Sequence, residues 1–457
     1  MHIKEKIFKK ESEKVAFDIK HRNIIKFNIS KYNNAVKTGK SYFKNLDLAK
    51  EKVSETKNKI IKNLDEYLIE FERNFKNNNG KVIWAKDSDE AIKEIISILL
   101  KKSAKLVVKG KSMMTEEIEL NKWIEKENIE VIETDLGEYI VQIAGEKPYH
   151  IVTPAMHKSK EDIFELFNEK FKTPINTTPE FITDYVRKLL REKFVNADVG
   201  ITGANFLIAD IGGVAITENE GNGLMSTSFP KTHIVVAGIE KIIPSYKDLS
   251  IIWPTLAAHG TGQRMTVYNT IFTGPKKNNE IDGPEEMYVI LIDNGRTNLL
   301  AQKEQKQALK CIKCGACLNA CPVYRNIGGY TYDSTYGGPI GSVITPFLKG
   351  INEYKHLSYA SSLCGKCTEV CPSKIDLHKL LIYNRRDFVE KKINPLTERI
   401  TMFLYKSVFL NRFLLDIGNK RIRNFFAEKF GKKAWGPRRK LPVLQKSFSK
   451  QWKNKYN

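Results

Sequence analysis

Cys311-Ile-Lys-Cys314-Gly-Ala-Cys317-Leu-Asn-Ala-Cys321-Pro322 and Ser361-Ser-Leu-Cys364-Gly-Lys-Cys367-Thr-Glu-Val-Cys371-Pro372 contain all 7 cysteines of this 457-residue chain. The two stretches share one frame, C-x2-C-x2-C-x3-C-P, complete in the first and opening with serine in the second. Three thiolates two residues apart, in a turn softened by Gly315, can converge on three irons of one cubane. The fourth cysteine follows three residues on, and the proline after it turns the chain away.

This is the spacing of two-cluster bacterial ferredoxins, in which the fourth cysteine of each run reaches across to the other cluster. Carried over, that rule gives one cluster Cys311, Cys314, Cys317 and Cys371. It gives the other Cys321, Cys364 and Cys367, with one position lacking cysteine. That second cluster is either a three-iron [3Fe-4S] species or a [4Fe-4S] cluster completed by Ser361, water or another oxygen or nitrogen ligand. Disulfides are the competing use of seven thiols, but the odd count and the absence of a secretory pattern favour a reducing compartment. A zinc ribbon pairs C-x2-C units and leaves the third cysteine of the first run without a role. The spacing therefore predicts electron transfer.

Composition sets the frame around these runs. With 41% hydrophobic residues the chain can bury sizeable cores, and its length allows two or three domains. The lysine-rich start after Met1 is not a signal peptide, and no uncharged apolar run is long enough to span a bilayer. The expected location is the cytoplasm, with peripheral contact at the inner face of the membrane kept open. Residues 391–457 hold 18 lysines and arginines against 3 acidic residues, so this tail supplies +15 of the net +22. Such a tail suits a partner subunit or an anionic membrane surface. No nucleic-acid motif accompanies it.

Four regions are expected. Residues 1–75 form a helical extension, with Ile60, Ile61, Leu64, Tyr67, Leu68 and Phe71 on one stripe that packs against the next domain. Residues 76–300 alternate short apolar runs with amphipathic stretches, predicting an α/β domain with a largely parallel sheet. The strands expected there are Lys81–Ala85, Lys105–Lys109, Glu130–Glu133, Ile140–Ala144, Val199–Thr202, Val214–Thr217, His233–Gly238 and Tyr288–Ile292. Asp89–Lys101 and Lys160–Phe171 are expected helices. Residues 301–388 form a helical ferredoxin-type domain, with Ile344–Leu348 and Leu377–Arg386 helical and a Gly/Tyr-rich loop over 328–341. That loop is either a cover over the clusters or a docking edge. Residues 389–457 form the basic C-terminal region. In it, Ile400–Ile417 is apolar but charged enough to pack on protein or lie at a membrane interface rather than cross it, and 432–440 is an extended, proline-broken segment.

Candidate sites in the α/β region are less distinct. Gly110-Lys111-Ser112 lacks the first glycine of a phosphate-binding loop, and Gly200-Ile-Thr-Gly203 is too short for a dinucleotide fingerprint. Thr217-Glu-Asn-Glu-Gly-Asn-Gly223 follows an apolar strand, and its glycines permit close backbone approach. Glu220 is therefore a candidate catalytic carboxylate, with Asn205, Asn222 and Thr227 as polar neighbours; the alternative is an ordinary turn. His157 and His233 are candidate acid–base groups or structural histidines, and Glu116, Glu117 and Asp135 share that ambiguity.

Nearly the whole chain resembles the lactate utilization protein B family, the iron–sulfur subunit of a bacterial L-lactate oxidation system. The resemblance rests on Gly110-Lys-Ser-Met-Met-Thr-Glu-Glu-Ile118, Glu133-Thr-Asp-Leu-Gly-Glu-Tyr139, Ala197-Asp-Val-Gly-Ile-Thr-Gly-Ala-Asn205, Asn219-Glu-Gly-Asn-Gly223 and Asp293-Asn-Gly-Arg296. It continues through both cysteine runs, where Ala360-Ser-Ser-Leu-Cys-Gly-Lys-Cys367 lacks the first cysteine as some members do, to Trp435 and Lys446-Ser-Phe448. It implies a fold related to the sugar-phosphate isomerase and CoA-transferase superfamily for residues 76–300, and a turn at Asn219–Gly223 similar to the glutamate-bearing turn of CoA transferases. It also implies two companion subunits, one with heterodisulfide-reductase-like cysteine motifs and one sharing the first domain's fold. Together these would oxidise L-lactate to pyruvate and pass electrons towards the respiratory chain. The alternative is an enzyme acting on a CoA or acyl substrate at Glu220, with structural or sensory clusters.

Overall fold

The computed structural model describes residues 3–416, 419–436, 439–446 and 448–456. Residues up to Asp387 make one compact unit and those from Phe388 onward a second.

The first unit is organised by a six-stranded, wholly parallel sheet built from β1 (Lys81–Ala85), β2 (Leu106–Lys109), β3 (Glu130–Glu133), β4 (Val199–Gly203), β7 (Thr232–Gly238) and β10 (Glu286–Ile292), in the order β1-β10-β7-β4-β2-β3. β4, β7 and β10 read as apolar runs because both faces of a parallel sheet are covered. Parallel pairing also places the carboxyl ends of all six strands along one edge. A second, mixed sheet, ordered β8-β5-β6-β9, joins β8 (Ile242–Ile243), β5 (Phe206–Ile208), β6 (Gly213–Glu218) and β9 (Tyr268–Phe272).

The expected α/β domain with a largely parallel sheet is what forms, with local differences. Ile140–Ala144 is not a strand: the helix Leu136–Ile143 occupies it, started by Asp135, whose carboxylate accepts from the Glu138 N–H at 3.0 Å. That cap outweighs the β-propensity of Ile140 and Val141. β5, β8 and β9 went unpredicted because two are only two or three residues long and β9, Tyr-Asn-Thr-Ile-Phe, has no alternating pattern.

Residues 3–77 fold into four helices, Ile3–Ala16, Ile19–Ser41, Leu46–Lys62 and Leu64–Asn77. Ile60, Leu64, Leu68 and Phe71 are buried in one core with β5, β6, β7 and β10, and Tyr67 packs at its margin. The predicted stripe thus packs against the sheets. Among the four, Ile19–Ser41 and Leu46–Lys62 are capped by Asp18 and Asn45.

Residues 301–387 are short helices and turns, including Ala316–Ala320, Pro322–Ile327, Gly338–Lys349, Lys366–Glu369 and the start of Leu377–Glu390. The Gly/Tyr loop over 328–341 is a cover rather than a projecting edge: Tyr332 and Tyr336 are buried and join Tyr324 in the local core, while Tyr330 remains exposed.

In the second unit, Ile400–Ile417 divides into the helices Leu396–Leu410 and Arg412–Asp416, separated at Asn411; Ile417 lies outside the described residues. Among the described residues of this stretch, Met402, Phe403, Leu404, Phe409 and Phe413 are exposed. Residues 432–435 are helical rather than extended, continuing the π-helical stretch Ala427–Gly431; Pro437, Arg438 and Ser447 lie outside the described residues. No helix among the described residues is long and apolar enough to cross a membrane.

Candidate iron–sulfur centre

The two cysteine runs wind the same way. In the first, Lys313 and Gly315 take left-handed φ values of 59° and 76°; in the second, Leu363 and Gly365, at the same frame positions, take 55° and 78°. Left-handed backbone on either side of the second frame position folds each run back on itself, and a short helix follows each, Ala316–Ala320 and Lys366–Glu369. Glycine fits this conformation without strain; Lys313 and Leu363 hold it at a steric cost.

Cys311, Cys314, Cys317 and Cys371 line one small cavity, closed by Ile312, Ile340, Ile375 and Leu377. Four thiols from two runs thus come together in the combination that the crossing rule predicts. Cys321, Cys364 and Cys367 form the other neighbourhood: beyond burial, Cys364 helps raise the Cys321 thiol, and Cys321 and Cys364 help raise that of Cys367. Cys321 and Cys367 are buried there, and Cys364 is exposed.

The residues present suit iron–sulfur ligation. Burial first, with neighbouring cysteines adding to it, pushes the Cys371 and Cys367 thiols up to about 11. Clustered, desolvated thiols become thiolates when cationic iron supplies the compensating charge. Backbone N–H groups already point at the sulfurs, from Lys313 to Cys311 Sγ (3.3 Å) and from Ile375 to Cys371 Sγ (3.4 Å). Others approach Cys314 from Ala316, Cys317 from Ile340 and Cys321 from Val323 and Tyr324. Such bonds stabilise negative charge on sulfur and tune cluster potential. Cys364 is held below the usual thiol range by the Lys366 N–H first and the Ser362 hydroxyl second.

Buried charge lies beside the first set. Arg296, at the carboxyl edge of the parallel sheet, donates through Nε to Glu240 (2.5 Å) and through Nη1 and Nη2 to Glu117 (3.0 and 2.8 Å). Glu240 is held at about 2, despite its burial, by Arg296, Lys313 and Lys241. The Lys313 ammonium stands 4.0 Å from the Tyr336 ring centroid. Lys241, a half-buried residue, has its ammonium lowered to about 8 by desolvation. Lys366 instead pairs with Glu369 at 2.6 Å on the surface.

The other candidates are distributed differently. Thr217 and Glu218 end β6, and Asn219–Gly223 follows it. β6 belongs to the mixed sheet and pairs antiparallel with β5 and β9, so this turn does not sit at a parallel strand's carboxyl end. Glu218 accepts from the N–H groups of Gly223 and Leu224 (2.7 and 2.9 Å), while Glu220 accepts from the Leu136 N–H (3.0 Å). Desolvation of its carboxyl, with Asp135 beside it, raises Glu220 to about 7, although the residue as a whole is exposed. Asn205 accepts from Thr217 N–H and Thr227 donates to the Gly223 carbonyl, both holding the turn. His233 is buried against Thr202 Oγ1 (2.7 Å), a structural position, and His157 pairs with Glu146 (2.6 Å). Glu117 is buried as an ion-pair partner of Arg296, a structural position.

A LUD domain model matches residues 68–292 and a 4Fe-4S dicluster domain model matches residues 307–375. Lactate utilization protein B of Bacillus subtilis (strain 168) is 44% identical over 410 residues, covering 87% of this chain and 85% of that protein. The chain belongs to the lactate utilization protein B family. The lactate utilization protein B of Geobacillus sp. (strain WCH70) is 41% identical over 410 residues, covering 87% of this chain and 86% of its own. A solved DUF162 family protein from Deinococcus radiodurans matches 50% of this chain and 98% of its own at 14% identity and a TM-score of 0.28, too slight a likeness to build on. In this lactate utilization protein B family member, the LUD match ends with the last residue of β10, and the dicluster match takes in every cysteine.

Proposed function

We propose that the chain is an iron–sulfur electron-transfer subunit of a system that oxidises L-lactate to pyruvate and passes electrons towards the respiratory chain. The observation that carries this reading is the meeting of Cys311, Cys314 and Cys317 with Cys371, a residue of the other run, around one cavity. In this reading those four hold one [4Fe-4S] cluster, and Cys321, Cys364 and Cys367 hold the second with the Ser361 hydroxyl in the fourth place. Bound clusters supply reversible one-electron transfer at potentials that the protein sets.

The chain's own residues then do three things. Ile312, Ile340, Ile375 and Leu377 keep water from the first set of sulfurs. Lys313 and Lys241 favour added negative charge there. Exposed Cys364 puts the second set at the surface, where a partner's redox centre can approach. The thiols fit a reducing cytoplasm. The companions are a heterodisulfide-reductase-like subunit and one sharing the LUD fold, and the site that takes hydrogen from lactate lies in one of them. The net positive tail is a contact for a companion or for the anionic inner face of the membrane.

Electron paramagnetic resonance of the anaerobically purified protein, with and without the companions and before and after L-lactate, tests this. Reduction by lactate only with the full set is expected; clusters that stay oxidised with the full set sink the reading. The raised carboxyl of Glu220 favours a second reading, an acid–base group acting on a CoA or acyl substrate. Glu220→Gln that spares lactate oxidation and removes a CoA-ester activity would favour it.

A further inference from the structure

Outside the cysteine runs, an unusual concentration of buried charge lies where β2 and β3 end. Lys109 is the last residue of β2 and Glu133 the last of β3, opposite one another in the register. The Lys109 side chain is fully buried, and its ammonium reaches Glu133 Oε1 (2.8 Å), Glu116 Oε1 (3.2 Å) and Thr115 Oγ1 (2.9 Å). Glu138, in the first turn of Leu136–Ile143, is only 1% exposed. Neither of its carboxylate oxygens has a hydrogen-bond partner among the described residues, and Glu133 Oε2 and Asn121 Oδ1 are equally unpartnered. Asn121 is fixed beside them by donating to Glu133 Oε1 at 2.7 Å.

Three carboxylates stand around the Lys109 ammonium, so this cluster carries an excess of two negative charges if all ionise, while Lys122, Lys147 and Lys349 line the wider cavity. Buried like charges without partners are costly. Each unpartnered atom is an oxygen acceptor, and oxygen-only acceptor sets suit hard divalent cations. Ligand oxygens of Glu116, Glu133 and Glu138 lie within 4.8 Å of one another, close enough to share one ion. All three, with Asn121, line a cavity of about 880 Å³ through which an ion and water can enter.

We propose that Glu116, Glu133 and Glu138, with the side-chain carbonyl of Asn121, form a binding site for a hard divalent cation of the Mg²⁺ or Mn²⁺ type, held apart from the cysteine sets. Lys109 is the fixed counter-charge that keeps Glu116 and Glu133 aimed inward. The rival occupant is a proton: burial first, and Glu133 second, push the Glu138 carboxyl far above the usual carboxylate range.

The test is a Mn²⁺ titration of the full-length, cluster-loaded protein, read at room temperature from the signal of free aqueous Mn²⁺. Saturable loss of that signal, reversed by Mg²⁺ and weakened about tenfold or more in Glu138→Gln, is expected, together with a rise in melting temperature with Mn²⁺ that the variant lacks. Unchanged cluster absorbance in Glu138→Gln reports that it has folded; if it has not, Asn121→Ala replaces it and must weaken Mn²⁺ binding. No saturable binding, or binding unaltered in the folded variant, overturns the proposal and leaves Glu138 simply protonated.

Discussion

Ser361 stands in the second run as Cys311 stands in the first: the Leu363 N–H donates to Ser361 Oγ at 3.1 Å, and the Lys313 N–H donates to Cys311 Sγ at 3.3 Å. The hydroxyl therefore occupies the frame position, and accepts the bond, of the missing sulfur. Ser361→Cys is expected to give two four-cysteine clusters of similar spectroscopic character. Ser361→Ala is expected to lose one iron and give a three-iron signal in the oxidised protein. Iron analysis and low-temperature paramagnetic resonance distinguish these; identical spectra for wild type and Ser361→Ala would remove serine from the ligand set.

The crossing of the runs makes a second prediction. Cys371→Ser, although it alters the second run, is expected to eliminate the cluster held by Cys311, Cys314 and Cys317 and to spare the other. Cys364→Ser should do the reverse. Redox titration of each variant reads which signal disappears, and loss of the same signal in both would refute the crossing.

Arg296 is the only cation bonded to both Glu117 and Glu240 among the described residues, and all three are buried. Arg296→Met removes the ion-pair partner of both buried carboxylates, leaving Glu117 the Asn294 amide and Glu240 the field of Lys313 and Lys241. The change is expected to lower folding stability by about 3–5 kcal/mol. Denaturant unfolding of the cluster-loaded protein measures this. The companion variant, Arg296→Met with both glutamates changed to Gln, should recover much of the loss.

Buried histidines should make stability fall as the pH drops below about 6.5. Burial holds His233 and His150 down at about 3, against an ordinary 6.5. Above 6.5 both states are neutral and nothing changes. Between 6.5 and about 3 the unfolded chain takes up protons that the folded chain refuses, so each histidine subtracts roughly 1.4 kcal/mol per pH unit. His233→Asn is expected to flatten that slope by one histidine's share in unfolding experiments from pH 7 to pH 5.

The cysteine frame was readable because metal ligation imposes spacing on the chain itself, and Cys311 through Cys321 carry that spacing without help from tertiary structure. The parallel strands were readable for a similar reason: burial on both faces makes β4 and β7 largely apolar, as in Ile234–Gly238. The carboxylate pocket was not. Glu116, Glu133 and Glu138 come from separate elements, and only the adjacency of β2 and β3 in the sheet brings them to Lys109. Glu116 was singled out among ambiguous acids; Glu133 and Glu138 were visible only as members of a family motif. The fourth ligand position was half legible: the frame pointed to Ser361, but the bond from Leu363 needed coordinates.

The place of β10 in the sheet has a consequence for biosynthesis. It sits between β1 and β7, with Lys81 opposite Tyr288, so β1 has no neighbour until β10 exists. At roughly 5–20 residues per second, translation takes about 10–40 s to travel from one strand to the other. During that interval the growing chain displays an incomplete sheet, the condition in which chaperones hold nascent proteins. Cys311 is made only after β10, so the machinery that delivers iron and sulfide meets thiols emerging next to strands that have already been synthesised.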